Sequence, residues 1–377
     1  MRNSPVVFGE NSSPPPPPHI PLFSGGGLAG AEIFFLGTGC AAPSKNRGCS
    51  GVLVRVPQTG LVGACVAAVG EPLRLLIDAG EGTLGHLERQ FGQEGALAEI
   101  QGLDCVWISH KHADHHTGLF RLLAKHHRAV ETRRACRAAR NQPAERTAAL
   151  TVVAPSDVLS FLASCSRASG ERISYRPTNC RSLVRPRSWC GGDGGFNLPS
   201  GKLEKREGGS RYGATALLAA MSSVPVVHCR DAYGLVFQPW RRGEKLVYSG
   251  DTRPCDRLVA AGVGAALLIH EATFDDSKQE DAISKKHSTT SEALEVGRRM
   301  RAGEVVLTHF SQRYPRVPVM EPGHDPTFCV AFDGMILNRA TYAILPAAAS
   351  VLSQLLGHTE EIDEDEDAEN SEKIVLD

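Results

Sequence analysis

Ser109-His110-Lys111-His112-Ala113-Asp114-His115-His116 gathers four metal-type donors (His110, His112, Asp114 and His115) within six residues. It directly follows the apolar run Val106-Trp107-Ile108 and precedes an apolar helical pattern starting near Leu119. Imidazole nitrogens and carboxylate oxygens are what a borderline cation such as Zn²⁺ takes as ligands. Donors this close cannot all point inward from one helix or one strand. On a loop at a strand's end they converge from two sides. A polar surface turn would explain one such histidine, but not this spacing after a strand.

Three more donors stand at the ends of apolar runs. His228 follows Val224-Pro225-Val226-Val227, Asp251 follows Leu246-Val247-Tyr248-Ser249-Gly250, and His309 follows Val305-Val306-Leu307-Thr308. Singly, each reads as a core or turn residue. Together they supply enough ligands for two adjacent metals, and ligands on separate strands of one sheet edge are held rigidly.

Outward from this centre, short apolar runs recur. Ile33 to Leu36, Leu73 to Ile77, Leu150 to Val153, Leu235 to Phe237, Leu246 to Tyr248, Leu267 to Ile269 and Val305 to Leu307 read as buried strands. Helical patterns at Val158 to Ala163 and Thr290 to Arg301 fall between them, the second capped by Ser288 or Thr289. Strands paired with helices predict an α/β fold of sheets covered by helices. Residues 1–30, with Pro14 to Pro18 and Gly25 to Gly27, read as a disordered leader. One domain is expected over 31–345, with a basic, loop-rich insertion around 131–223, and an acidic disordered tail over 360–377.

The net charge of −1 conceals a split: the tail holds ten acids and one lysine, leaving the body at +8. Such a body suits a polyanionic partner. The eleven cysteines are scattered, odd in number and never in a CxxC pair, which fits an intracellular, reducing compartment rather than secretion. No stretch approaches the roughly 18–20 apolar residues of a membrane span.

His110-x-His112-x-Asp114-His115, His228, Asp251 and His309 resemble the ordered metal motifs of the metallo-β-lactamase superfamily, and Asp78 in Leu76-Ile77-Asp78-Ala79-Gly80 resembles its first motif. Within it the chain is similar to ribonuclease Z, the tRNA 3′ endonuclease. The similarity rests on Phe35 to Gly39 followed by Pro43 to Arg47, Glu81-Gly82-Thr83, Ser249 to Pro254, His270-Glu271-Ala272-Thr273, Lys286 to Thr289, and Thr308-His309-Phe310-Ser311 with Arg313-Tyr314. The resemblance implies an αββα sandwich of two mixed sheets with metals at their shared edge. It implies two Zn²⁺, with Mn²⁺ able to substitute: one held by His110, His112 and His228, the other by Asp114, His115 and His309, with Asp251 bridging. Asp78 would orient the metal loop, Asp114 would also take a water proton, and His287 held by Glu271 would protonate the leaving oxygen. Lys45, Arg47, Arg253 and Arg313 become candidates for RNA contact. The implied reaction removes the 3′ trailer of precursor tRNA, leaving a 3′ hydroxyl on the tRNA and a 5′ phosphate on the trailer.

The resemblance is to the C-terminal catalytic half of the long form. Only 22 residues separate His228 from Asp251, too few for the short form's tRNA-gripping arm. Grip would then come from a homodimer or a separate arm like the N-terminal half. Gly48 stands where the family usually has asparagine. Two alternatives remain at this point: another phosphodiesterase of the same fold, and a non-catalytic RNA-processing subunit. Nucleus, cytoplasm and mitochondrion all stay open.

Overall fold

The computed structural model describes residues 28, 30–57, 71–142, 149–185, 214–240, 244–312 and 328–342. The first half of the chain forms β1 (Glu32–Gly37), β2 (Gly51–Val56), β3 (Leu73–Ile77), α1 (Thr83–Gly102), β4 (Cys105–Trp107), α2 (Ala113–His116), α3 (Leu119–Ala139), β5 (Thr151–Ala154), α4 (Ser156–Ser169) and β6 (Arg176–Asn179). The second half forms α5 (Ala214–Ala219), β7 (Met221–Pro225), β8 (Tyr233–Phe237), β9 (Leu246–Tyr248), α6 (Asp256–Gly262), β10 (Leu267–Glu271), α7 (Gln279–Lys285), α8 (Thr290–Met300), β11 (Glu304–Thr308), β12 (Phe328–Val330), β13 (Ile336–Leu337) and α9 (Arg339–Tyr342).

The strands build two mixed sheets, ordered β13-β1-β2-β3-β4-β5-β6 and β12-β11-β10-β9-β8-β7. Within each strand, alternate side chains face opposite ways. Leu73, Leu75 and Ile77 of β3 therefore meet Leu235, Phe237, Leu267 and Ile269 of the other sheet in one core. Leu76 faces the opposite side with Leu87, Ile100, Leu122 and Leu162 of α1, α3 and α4. Leu268 of β10 likewise meets Leu258 of α6 and Val296 and Met300 of α8. Helices thus cover both outer faces, giving the expected αββα sandwich.

Some expectations need adjustment. Leu28, assigned to the leader, is wholly buried in the inter-sheet core. The 131–223 region is less loop-like than its composition suggests. Helix α3 carries on to Ala139, and β6, α5 and the start of β7 lie in the region too. Thr289, not Ser288, caps α8, in a capping box with Glu292; the Ser288 hydroxyl instead donates to the Thr252 carbonyl at 2.6 Å. Residues 1–27 and 29 of the leader, residues 143–148 and 186–213, and the acidic tail lie outside the described residues.

Strands β3 to β6 run parallel, as do β9 to β12. Their carboxyl ends therefore open along one edge, where loops can carry ligands. Asp78, just beyond β3, ties this edge together. Its carboxylate accepts from Ser109 N (2.7 Å), Ser109 Oγ (2.9 Å), His115 Nδ1 (2.8 Å) and, across the sandwich, Tyr248 Oη (2.8 Å). The backbone pays for this with φ of 55° at a non-glycine residue. Asp78→Ala strands several buried donors at once and should cost about 3–5 kcal/mol of unfolding free energy in urea titrations. Tyr248→Phe should cost about 1 kcal/mol.

A second buried carboxyl works against stability. Glu304 opens β11, is almost fully buried, and has its pKa pushed up from 4.5 to about 8 by burial alone. Between those pH values the folded chain holds a proton that the unfolded chain has lost, so stability falls as pH rises through that window. Glu304→Gln should flatten this part of the melting temperature–pH profile relative to wild type; an unchanged slope would contradict the assignment.

Candidate metal centre

Every sequence-predicted metal donor reaches one cluster. His110 and His112 sit on the loop after β4, and Asp114 and His115 on the single turn of α2 that this loop initiates. His228, Asp251 and His309 lie just beyond β7, β9 and β11 of the other sheet. The loop at Gly250 takes a φ of 58°, and a Cβ there would stand 2.6 Å from the Tyr233 carbonyl oxygen, so only glycine brings Asp251 this close. His309 itself adopts a φ of 62°. Positive φ at non-glycine residues is a local strain of the kind that collects at functional sites.

The hydrogen bonds orient four of the five rings. His115 donates through Nδ1 to Asp78, and His228 through Nδ1 to the Lys286 carbonyl at 2.9 Å. Ser109 Oγ spends its proton on Asp78, so it accepts from His110 Nδ1 at 2.9 Å. Thr273 Oγ1 spends its proton on Glu271, so it accepts from His309 Nδ1 at 2.9 Å. Each of these rings therefore aims its Nε2 inward, where it can carry a proton or bind a metal. His112 faces the cluster through Nδ1, 3.0 Å from both His110 Nε2 and His228 Nε2.

Tetrahedral donors at ordinary zinc bond lengths lie about 3.3 Å apart. His115 Nε2 is 3.2 Å from His309 Nε2 and 3.3 Å from Asp251 Oδ2. His110 Nε2 is 3.5 Å and His228 Nε2 3.8 Å from that same oxygen. Asp114 Oδ2 is 3.3 Å from His309 Nε2, and Asp251 Oδ1 is 3.4 Å from it. Asp251 Oδ1 is buried with no hydrogen-bond partner among the described residues. Burial opposes charge on His115 and His309, yet Asp251 above all outweighs it and holds both well above the usual imidazole range. The cluster demands positive charge, and a divalent cation fits its donors, spacing and orphaned oxygen. Asp251 is common to two donor groups, one with His110, His112 and His228 and one with His115 and His309.

Beside it lies the predicted His287–Glu271 pair. Glu271 accepts from His287 Nδ1 at 2.9 Å and also from Thr252 N, Thr273 N, Thr273 Oγ1 and Ser288 N. Burial alone would lower the imidazole pKa of His287, but the Glu271 carboxylate more than offsets this and raises it. The ring stacks 5.6 Å from that of His309 and lies tilted, 4.7 Å from that of His228.

The RNA-contact candidates divide. Lys45 is exposed on its loop. Arg47 is buried, donating to Thr38 Oγ1 (2.6 Å) and the Ala331 carbonyl (2.9 Å) and lying over the Phe310 ring. Arg253 is bound by Glu292 and the His287 carbonyl. Arg313 lies outside the described residues. Gly48 has a physical reason: the His86 ring fills the space a side chain would need. Sequence reading gave no role to Ser109, Tyr248 and Thr273, which orient the donors; Tyr248, in an apolar strand, looks like core.

The β-lactamase superfamily domain matches residues 73–164 and 206–310. The chain is 37% identical over 371 residues to the mitochondrial tRNase Z TRZ3 of Arabidopsis thaliana, covering 90% of this chain and 38% of that one. It is 37% identical over 337 residues to the human zinc phosphodiesterase ELAC protein 2, covering 88% of this chain and 36% of that protein. The crystal structure of a long form RNase Z from yeast superposes with a TM-score of 0.63 at 28% identity, over 85% of this chain and 44% of that one. The chain thus spans little more than a third of the length of the curated relatives it matches. Helix-covered sheets, donors at their common edge and a family match over both donor-bearing segments lead to one conclusion: the chain belongs to the metallo-β-lactamase superfamily.

Proposed function

We propose that this chain is the catalytic portion of a zinc-dependent endoribonuclease that removes the 3′ trailer from precursor tRNA, leaving a 3′ hydroxyl on the tRNA and a 5′ phosphate on the trailer. The observation that carries the reading is the Glu271–His287 pair set against the donor cluster, because a proton donor beside a metal site is what an alkoxide leaving group needs. The relatives' names supply the substrate class.

In this reading His110, His112 and His228 would hold one zinc ion, Asp114, His115 and His309 would hold a second, and Asp251 would serve both. Two such ions would acidify a water and steady the charge on the attacked phosphate. Asp114 accepts the water proton as the water oxygen joins phosphorus. The bond from phosphorus to the 3′ oxygen breaks, and His287 Nε2 gives that oxygen its proton. Glu271 fixes the tautomer, since His287 Nδ1 is committed to it. Asp78 acts through His115 and Ser109 by holding their orientation.

The 22 residues between His228 and Asp251 include β8 and β9 and are too few to add a gripping arm. Grip on the tRNA body is therefore assigned to a separate arm or a second copy, with Lys45 near the RNA end. The nine described cysteines are free thiols, and the mitochondrial tRNase Z relatives from plants support an organellar setting in the cell. No helix among the described residues is long and apolar enough to cross a membrane.

Purified chain should cut a trailer-bearing precursor tRNA once near the discriminator nucleotide. Asp114→Ala should abolish the cut, and His287→Ala should slow it about 10²–10⁴-fold. Hydrolysis of a simple phosphodiester without cleavage of tRNA would assign the same chemistry to another substrate. Wild-type rates in both variants would sink the mechanism.

A further inference from the structure

Cys40 belongs to none of the assignments above. It lies on the loop after β1, only partly exposed, and its sulfur is within 4.8 Å of ligand atoms of Asp114 and His309. Three contacts hold it there. Cys40 N donates to the Phe310 carbonyl at 3.0 Å, Ala41 N donates to Asp114 Oδ2 at 2.8 Å, and Ala42 N closes a γ-turn on the Cys40 carbonyl at 2.8 Å. The turn forces Ala41 to a φ of 66°, a strained conformation for a residue with a side chain. A loop that needed only to pass this edge would have no reason to bend so. Asp251 Oδ1, buried and without a hydrogen-bond partner among the described residues, lies 3.4 Å from His309 Nε2 and marks the surroundings of that nitrogen as a place for a cation.

We infer that Cys40 is a sulfur donor to the metal held by Asp114 and His309. The inference rests on the metal-centre reading of those two residues. On ligation the S–H bond breaks, its proton passes to solvent, and a sulfur–metal bond forms. Sulfur makes the donor set softer than imidazole and carboxylate alone, favouring zinc or cobalt over manganese. It also places an oxidisable atom on the centre itself.

The test uses the full chain stripped with a chelator and reloaded with Co²⁺, beside Cys40→Ser and Cys40→Ala. Wild type should show a sulfur-to-cobalt charge-transfer band in the near ultraviolet, lost in both variants while elemental analysis still finds bound cobalt. In wild type, peptide mapping should show iodoacetamide labelling of Cys40 slowed by Zn²⁺ and restored by EDTA. Cys40→Ser should also shift the competition between Zn²⁺ and Mn²⁺ toward Mn²⁺. Bound cobalt with the same spectrum in all three proteins, and labelling indifferent to Zn²⁺, would overturn the sulfur donor while leaving the metal centre intact. A wild-type chain that takes up no cobalt would overturn both.

Discussion

Six donors crowd around one carboxylate, and the rest of the molecule is arranged to hold them there. Asp251 faces the ring nitrogens of His110, His115, His228 and His309 at 3.3–3.8 Å. Four of the five imidazoles turn Nε2 inward, because Asp78, Ser109, Thr273 and the Lys286 carbonyl have claimed their other nitrogens. Lone pairs and carboxylates packed at that distance repel one another unless a positive charge lies among them. The fold imposes the crowding through strained backbone at Asp78 and His309 and through the close approach at Gly250. A structure that served only its own stability would relax each of these.

Those donors were legible because each stands where an apolar run stops. The runs at Leu73 to Ile77, Leu246 to Tyr248 and Val305 to Leu307 are strands buried on both faces, so hydrophobicity alone marks them. What escaped notice lacked that contrast. Helix α1 carries Gly85, Gly92, Gly95 and Gly102, with φ of 70° at Gly92, and shows no clean apolar stripe. Strand β6, Arg-Pro-Thr-Asn, is half exposed at the end of its sheet and reads as loop. At the site, Thr273 and Tyr248 act through one hydroxyl each, a role that only three-dimensional neighbours reveal.

Arg47 shows how a motif can be located correctly and its side chain misread. A basic residue beside a predicted nucleic-acid end suggests a phosphate contact. Here the guanidinium is spent on Thr38, Ala331 and the Phe310 ring, and burial pushes its pKa down to about 10. Asp333, nearly three hundred residues later, accepts from Thr38 N, Thr38 Oγ1 and Gly48 N. Arg47 and Asp333 together pin both ends of the loop that presents Cys40 and Lys45. The positive charge stiffens the loop from within, and Lys45 alone of the two remains exposed.

The donor set also couples the two sheets. His110, His112, Asp114 and His115 come from the sheet containing β4; His228, Asp251 and His309 come from the other. Neither sheet alone presents a complete site, so a slip of about 1 Å between them would misplace half the ligands relative to the rest. An apolar interface resists separation but is tolerant of sliding, since hydrophobic burial has no direction. Directional links supply what it lacks: Tyr248 Oη to Asp78, and Trp107 Nε1 to Ser223 Oγ at 3.2 Å, both crossing the core. Trp107 and Tyr248 also meet edge to face, their rings 6.3 Å apart. Polar atoms in an otherwise apolar core are costly unless paired. Here each pair fixes the register on which the geometry of the centre depends.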